Sequence, residues 1–343
     1  MSSFDNNFNH LKIPLIDVQN ATNHFADENI VRRDGFGYEY KGQLVISSGQ
    51  LIDILARRLD DMYGQGTKEF KTEIMMLASL KHQNLVSIVG FCDEDKEKII
   101  IYNYEAKGSL DQYLSDPVTL TWTQRLHISL GIARALSYIH YDKQRTFSVI
   151  HRDVKSSKIV LGDKWEAKLS GFELSTVQPA TRRHGLVLDA LCGTDGYRDP
   201  AYVRSGGVSH KSDVYSFGMV LFEVLTGRRV YDPDNKDWTF LSKLVKSHYE
   251  KGTLNDIIHP GLLNQMDSQA LKVFSEVAYC CLNDQRAQRP SIERVIFALE
   301  QALKHQLSRV NSVRPFLFRF FQQYTFLYLL IHFMAIGFEG TQG

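Results

Sequence analysis

Residues 149–161 read VIHRDVKSSKIVL, and residues 167–175 follow as AKLSGFELS. In the first stretch two apolar ends enclose a polar loop that carries His151, Arg152, Asp153, Lys155 and Lys158. A carboxylate and two amines so close together in one loop mark it as a candidate site. The second stretch holds Gly171, Phe172 and Glu173, with an acid at the third place of the triplet and none at the first.

N-terminal to this loop the pattern is of short strands. YEYKGQLVI and LIDILARRL flank the turn signal SSGQ, and NLVSIVGFC and KIIIYNY flank the charged turn DEDKE. Between the pairs, TKEFKTEIMMLASL places Phe70, Ile74, Leu77 and Leu80 at helical spacing. After Gly108 the chain turns helical. QRLHISLGIARALSYIH carries Leu126, Leu130, Ala133, Leu136 and His140 on one face, and SDVYSFGMVLFEVLTG is apolar nearly all round, as a buried helix is. DQRAQRPSIERVIFALEQAL supplies one more amphipathic helix. The expectation is an α+β chain of two lobes with a cleft between them. Residues 1–28 are a leader with a short helix at IDVQNATNHF, 29–105 the β-rich lobe, 106–305 the helical lobe, and 306–343 an apolar tail.

The 343 residues are 43% hydrophobic with a formal net charge of +1, which is enough to bury a core and gives no electrostatic support to polyanion or nucleic-acid binding. The four cysteines (Cys92, Cys192, Cys280, Cys281) have neither metal nor disulfide-framework spacing; Cys280 and Cys281 read as core residues, and a reducing compartment follows. The first residues carry no apolar signal segment, no Gly at position 2 for myristoylation, and the last residues no prenylation box. From Pro315 to Phe338 the chain is aromatic and apolar but interrupted by Arg319, Gln322, Gln323 and His332. Its uninterrupted part is shorter than the roughly 20 residues of a spanning helix, which leaves a membrane-surface anchor, a domain-covering element and an artefactual read-through as alternatives.

The order of motifs from about Ala21 to Leu303 resembles the kinase domain of plant receptor-like serine/threonine kinases. KTEI, HRDVKSS, GTDGY with DPAY, KSDVYSFG and RAQRPS carry the resemblance, after the leader ATNHFADENIV. It implies a bilobal kinase fold in which Asp153 is the catalytic base and Lys155 the phosphoryl clamp. Gly37, Arg57, Glu73, Tyr102 and Lys158 would form the nucleotide site, and Asp213 would hold the catalytic loop's backbone. It implies ATP and Mg²⁺ as ligands, and other kinases or receptor cytoplasmic regions as partners. The location implied is the cytoplasm, at the inner face of the plasma membrane if the tail anchors there. With no extracellular segment ahead of the kinase-like region, a ligand-sensing receptor is disfavoured.

Four departures from the family's pattern bear on function, the first three of them against ATP and Mg²⁺. The phosphate-covering loop, three glycines in the family, reads Arg32, Arg33, Asp34, Gly35, Phe36, Gly37, so side chains fill two places where backbone amides should approach phosphates. Glu39 and Leu55 stand where Val and Ala make room for adenine, and Arg57 replaces the strand lysine. A carboxylate buried there costs roughly several kcal/mol unless it is paired. Lys158 replaces the metal-binding Asn and Gly171 the metal-binding Asp, a change of two positive charges that equals the charge of the missing ion. Either Lys158 acts as a built-in cation for metal-free nucleotide binding, or the site is empty. Finally, Ala201 replaces the acid expected to pair with Arg289, so the activation segment is looser or Arg289 has another carboxylate.

Asp153 can equally persist as a hydrogen-bond acceptor within its loop. Arg152, in the family, goes with a phosphorylated activation segment, with Thr176, Thr181 and Thr194 as acceptors, or else it is a solvated or fold-stabilising cation; Thr194 would also complete a substrate floor. The expected function is a catalytically deficient signalling module working through protein–protein contacts. A weak ATP-dependent Ser/Thr kinase using Arg57, Asp153 and Lys155 is the alternative, and a nucleotide-sensing switch lies between them.

Overall fold

The computed structural model describes residues 7–34, 37–46, 48–59, 66–230 and 240–309. Gly35 and Phe36 of the degenerate glycine loop and the apolar tail from Pro315 to Phe338 lie outside the described residues.

The β-rich part is one antiparallel sheet in the order β1-β2-β3-β5-β4. Its strands are β1 (Ile30–Asp34), β2 (Gly37–Val45), β3 (Leu51–Leu59), β4 (Ile88–Glu94) and β5 (Glu97–Asn103). Period-two alternation decides which residues face the cleft. On β3, Ile54 and Ala56 are fully buried on the far face with Leu44, Cys92, Ile99 and Ile101. Leu55 and Arg57 therefore turn to the other face. The interior strand β5 is apolar on both sides, as a covered strand should be: Ile100 and Tyr102 pack on the opposite face from Ile99 and Ile101. Helix α1 (Leu15–Ala21) from the leader covers the far face with Val18, which is fully buried. Glycine is required where the leader meets the sheet. A Cβ on Gly90 would run into the Leu11 carbonyl and the Ile13 side chain.

Helix α2 (Thr67–Ser79) closes the cleft side of the sheet with Phe70, Ile74 and Leu77, and its Glu73 is buried with them. Leu80, expected inside the helix, is its C-cap.

The helical part is built on α3 (Trp122–Tyr141) and α5 (His210–Thr226). Thr121 and Gln124 form a capping box at the start of α3, and Gly227 ends α5 in the left-handed conformation. Short strands accompany these helices: β6 (Gly108–Ser109) ahead of α3, and between α3 and α5 β7 (Phe147–Ile150), β8 (Ile159–Leu161), β9 (Ala167–Leu169), β10 (Thr176–Pro179), β11 (Val187–Leu188) and β12 (Gly207–Val208), with α4 (Pro200–Ser205) before β12. α6 (Phe240–Glu250), α7 (Pro260–Leu263) and α8 (Ser268–Cys281) follow, then a last helix, α9, over residues 292–309. Cys281 is fully buried on α8, and all four cysteines are free. The sequence pattern missed β1 and the two- to four-residue strands, which are too short to show a period. Among the described residues no helix is long and apolar enough to cross a membrane.

Candidate functional site

The loop between β7 and β8 is fixed from below by Asp213, in the first turn of α5. Its Oδ2 accepts from the His151 amide at 2.8 Å and contacts His140 Nε2 at 2.8 Å; its Oδ1 accepts from the Arg152 amide at 2.9 Å. Two amides on one buried carboxylate hold Arg152 in a left-handed conformation (φ 72°) and aim Asp153 at the cleft. The 167–175 stretch is clamped to this loop: the Phe172 ring meets the His151 ring edge-on at 4.7 Å, and His151 Nε2 lies 3.0 Å from the Ser170 carbonyl.

Both oxygens of Asp153 are engaged. Oδ1 accepts from the Thr194 amide at 2.8 Å and from its hydroxyl at 2.7 Å. Oδ2 lies 2.6 Å from Lys158 Nζ and 3.5 Å from Lys155 Nζ, while Lys155 also donates to Thr194 Oγ1 at 2.8 Å. Burial works to raise the Asp153 pKa, but Lys158 and Lys155 prevail and hold it well below the usual carboxylate range. A carboxylate so stabilised is a weak proton acceptor.

Lys158 is the hub. Besides Asp153, its ammonium contacts Glu173 Oε1 at 2.9 Å and the Gly171 carbonyl at 3.2 Å. Burial alone would lower its pKa, yet the two carboxylates raise it, so it stays charged. Glu173 lies 4.0 Å from Arg57, and Arg57 lies 3.5 Å from Glu73. Asp153, Lys158, Glu173, Arg57 and Glu73 thus form an alternating chain of charges from one lobe to the other, no member more than 7% exposed. Its acids are unequal. Against burial, Lys158 and Arg57 pull Glu173 down to about 2; burial and the Glu173 charge push Glu73 up to about 7 despite Arg57. The Arg57 pKa, which burial would lower, is raised by Glu173 and Glu73.

The resemblance implied Mg²⁺ and ATP here, and the residues at the metal place do not fit the ion. A Cβ on Gly171 would sit 2.5 Å from Lys158 Cδ and 2.6 Å from Cε, so an acid at that place would push the Lys158 side chain out of its seat. The neighbouring carboxylates already have an ammonium between them. A hard divalent ion needs a near-octahedral set of oxygens, and the Lys158 ammonium fills the space that such a set would surround. The interlobe cavity, about 690 Å³ with its mouth included, is lined by Val31, Leu55, Val86, Tyr102 and Val160 and also by Arg32, Glu39, Arg57, Glu73 and Gly171. Arg32, at the first glycine place, reaches across it: its Nη1 donates to the Ser157 carbonyl of the other lobe at 3.0 Å. Gly37 holds a φ of 128° at the start of β2.

Two expectations need revision. Glu39 is only half-buried, paired in register with Arg57 across β2 and β3, and its charge reaches that guanidinium; the desolvation cost anticipated for it shrinks accordingly. The charge difference at the metal place is not two. Glu173 stands where the family has a neutral glycine and returns one negative charge, leaving a net change of one. Of the two alternatives for Arg289, the structure takes the second: its Nη2 lies 2.6 Å from Asp199 Oδ1, with both side chains fully buried. Arg152 is bound as well, to Asp189 Oδ2 at 2.8 Å.

The structure therefore brings together Asp153, Lys155, Lys158, Arg57, Glu73 and Tyr102, with Gly37 at the start of the strand bearing Glu39. Sequence reasoning missed Glu173, Asp199 and Asp189 as partners. A signal existed for the first two. For Glu173 it is a new acid in the triplet beside a new lysine, a compensation of charge; for Asp199 it is only that an acid stands two residues before Ala201, with nothing nearby to tie it to Arg289.

The chain matches the protein kinase domain family over residues 54–307. It is 39% identical over 295 residues to the receptor-like protein kinase FERONIA of Arabidopsis thaliana, covering 85% of this chain and 32% of that protein. It is 38% identical over 318 residues to ANXUR2 (89% and 36%) and 40% identical over 315 residues to HERK 1 (91% and 37%), both receptor-like protein kinases of the same plant. The chain spans about a third of the length of these curated relatives. With an antiparallel sheet over a helical lobe and an Asp213-anchored His-Arg-Asp loop in the cleft, the chain belongs to the protein kinase family, as a kinase domain of the plant receptor-like kinase type.

Proposed function

We propose that this receptor-like kinase domain is catalytically deficient and signals by binding other proteins. The observation that carries this reading is Lys158, seated between Asp153 and Glu173 at 2.6 and 2.9 Å with Gly171 packed against its methylenes. Phosphoryl transfer depends on positioned charge around the transferred group, and a divalent ion supplies much of it. Several kcal/mol of lost metal stabilisation costs about 10²–10⁴-fold in rate. The base cannot restore this, because two lysines lower the basicity of Asp153 and its oxygens are occupied. The chain's own residues instead make a stable, charge-balanced floor that joins the lobes. Its partners would be other kinases or receptor cytoplasmic regions, met on the cytoplasmic side of the membrane.

The rival reading, a weak ATP-dependent Ser/Thr kinase, draws on the Arg57–Glu73 pair and the Asp213-anchored loop, which are the parts an active enzyme needs. A γ-labelled phosphotransfer assay on the purified protein, run beside Asp153→Asn, decides between them. No transfer above the Asp153→Asn background is expected. Transfer abolished by that substitution sinks the deficient reading. Thermal shift with ATP, with and without Mg²⁺, tests the cleft separately: no shift is expected, and stabilisation by ATP alone would instead make Lys158 a resident cation for nucleotide.

A further inference from the structure

Arg152 points away from the cleft floor, into the activation segment. Its side chain is 7% exposed, and its guanidinium donates to Asp189 Oδ2 at 2.8 Å, to the Ala190 carbonyl at 2.6 Å and to the Tyr202 hydroxyl at 2.9 Å. Tyr202 in turn donates to the same Ala190 carbonyl at 2.6 Å, and Asp189 Oδ1 accepts from the Ala190 amide at 2.7 Å. The segment is tied on its other side by β11, whose Val187 pairs with Val208 of β12 and packs against a small core of Ile150, Tyr202 and Val208.

An arginine in this position normally calls for a phosphate, a doubly charged group that bridges it to the segment and orders it. The threonines that could carry one do not reach Arg152. Thr176 is in β10, paired with Ile150. Thr181 lies exposed in a 3₁₀ turn, and the Thr194 hydroxyl is taken by Asp153 and Lys155. Asp189 fills the anion's place as part of the chain itself.

We infer that the Asp189 carboxylate is a built-in substitute for activation-segment phosphorylation, fixing residues 186–204 in one arrangement without modification. The ordered segment holds Leu186 and Leu188 outward, 57% and 78% exposed, on either side of Gly207. A module that works by contact gains from this, since the surface is displayed at all times and no upstream kinase is needed to form it. The inference is independent of whether the cleft binds nucleotide or transfers phosphate.

Hydrogen–deuterium exchange on the full chain tests it, with Asp189→Asn, Asp189→Ala and Asp189→Glu beside the wild type. Asparagine keeps the shape and can still accept from the Ala190 amide, but has no charge. Exchange over residues 186–204 is expected to rise roughly five- to tenfold in the Asn and Ala variants and to stay near wild type in the Glu variant. Protection of α5 should be unchanged in all of them, and phosphatase treatment of the wild type should alter nothing. Wild-type exchange in Asp189→Asn overturns the inference, because charge would then be irrelevant. So does loosening of the wild-type segment by phosphatase, because a phosphate elsewhere would then be the ordering anion.

Discussion

The side chain of Lys158 runs through the space that a Cβ on Gly171 would need, with its Cδ and Cε 2.5 and 2.6 Å from that position. Gly171 also has a φ of 76°, where an L side chain is strained. The two replacements are therefore coupled: with Lys158 in this seat position 171 has no room for a side chain, and restoring the aspartate displaces the lysine.

Gly171→Asp alone is expected to destabilise the protein by about 2–4 kcal/mol, from the clash, the positive φ and a third buried acid. Lys158→Asn combined with Gly171→Asp relieves the clash and sets the introduced carboxylate beside Asp153 and Glu173 around an unfilled space. That double variant should gain stability with added Mg²⁺, which the wild type should not. Urea unfolding of the single and double variants, with and without the ion, measures both effects. A Gly171→Asp protein as stable as the wild type would remove the basis for the coupling.

Lys158→Met isolates the ammonium. It leaves Asp153 and Glu173 buried without their shared cation, and removing one member of such a network costs roughly 3–5 kcal/mol. Chemical denaturation should show that loss. A change under about 1 kcal/mol would mean that water already does most of the solvating and that Lys158 is not the hub.

Some of this was legible in the residues and some was not. The lobes, the helices and the loop carrying Asp153 follow from long apolar periods and from motif order, and these survive in the structure with ends shifted by a few residues. The missing metal ligands at 158 and 171 were equally plain. What the sequence hid was the direction in which Lys158 points. A lysine at an asparagine's place can reach for a phosphate or turn back onto carboxylates. Only the packing of Gly171 against its methylenes, with Glu173 inside reach, decides for the second. Glu39 misled because burial cannot be judged without seeing Arg57 across the strand pair. Asp199 and Asp189 act at sequence separations of 90 and 37 from their arginines, where a pattern of neighbours is silent.

Asp199 gives a prediction of its own. It accepts from Arg289, and Arg286 also lies 3.1 Å away, so Asp199→Asn leaves a fully buried guanidinium with backbone carbonyls but without its counter-charge. The expected loss is about 3–5 kcal/mol in denaturant unfolding. Ala201→Glu, which restores the acid usual in the family, should gain nothing beyond about 0.5 kcal/mol because Arg289 is already satisfied. A clear stabilisation by Ala201→Glu would show that Asp199 is a poor substitute.

Glu73 supplies a pH dependence whose sign can be fixed in advance. Its folded-state pKa is raised from 4.5 to about 7, so between those values the folded protein holds a proton that the unfolded chain has released. Stability from this group is complete below pH 4.5 and is lost as pH rises toward 7, by at most about 3 kcal/mol for a shift of this size. Glu173 and Asp153 are depressed and act in the opposite sense, with stability present above their ordinary values and lost as pH falls below about 4. His210, lowered by burial to about 3, adds stability as pH rises through the histidine range and so masks part of the Glu73 effect. The comparison that isolates Glu73 is the difference between wild type and Glu73→Gln, in which the other groups cancel to first order. Measured by urea unfolding from about pH 4.5 to 7.5, the stability of Glu73→Gln relative to wild type is expected to increase steadily with pH. A flat difference over that range would mean that Glu73 is ionised throughout and that Arg57, not Glu173, governs its proton.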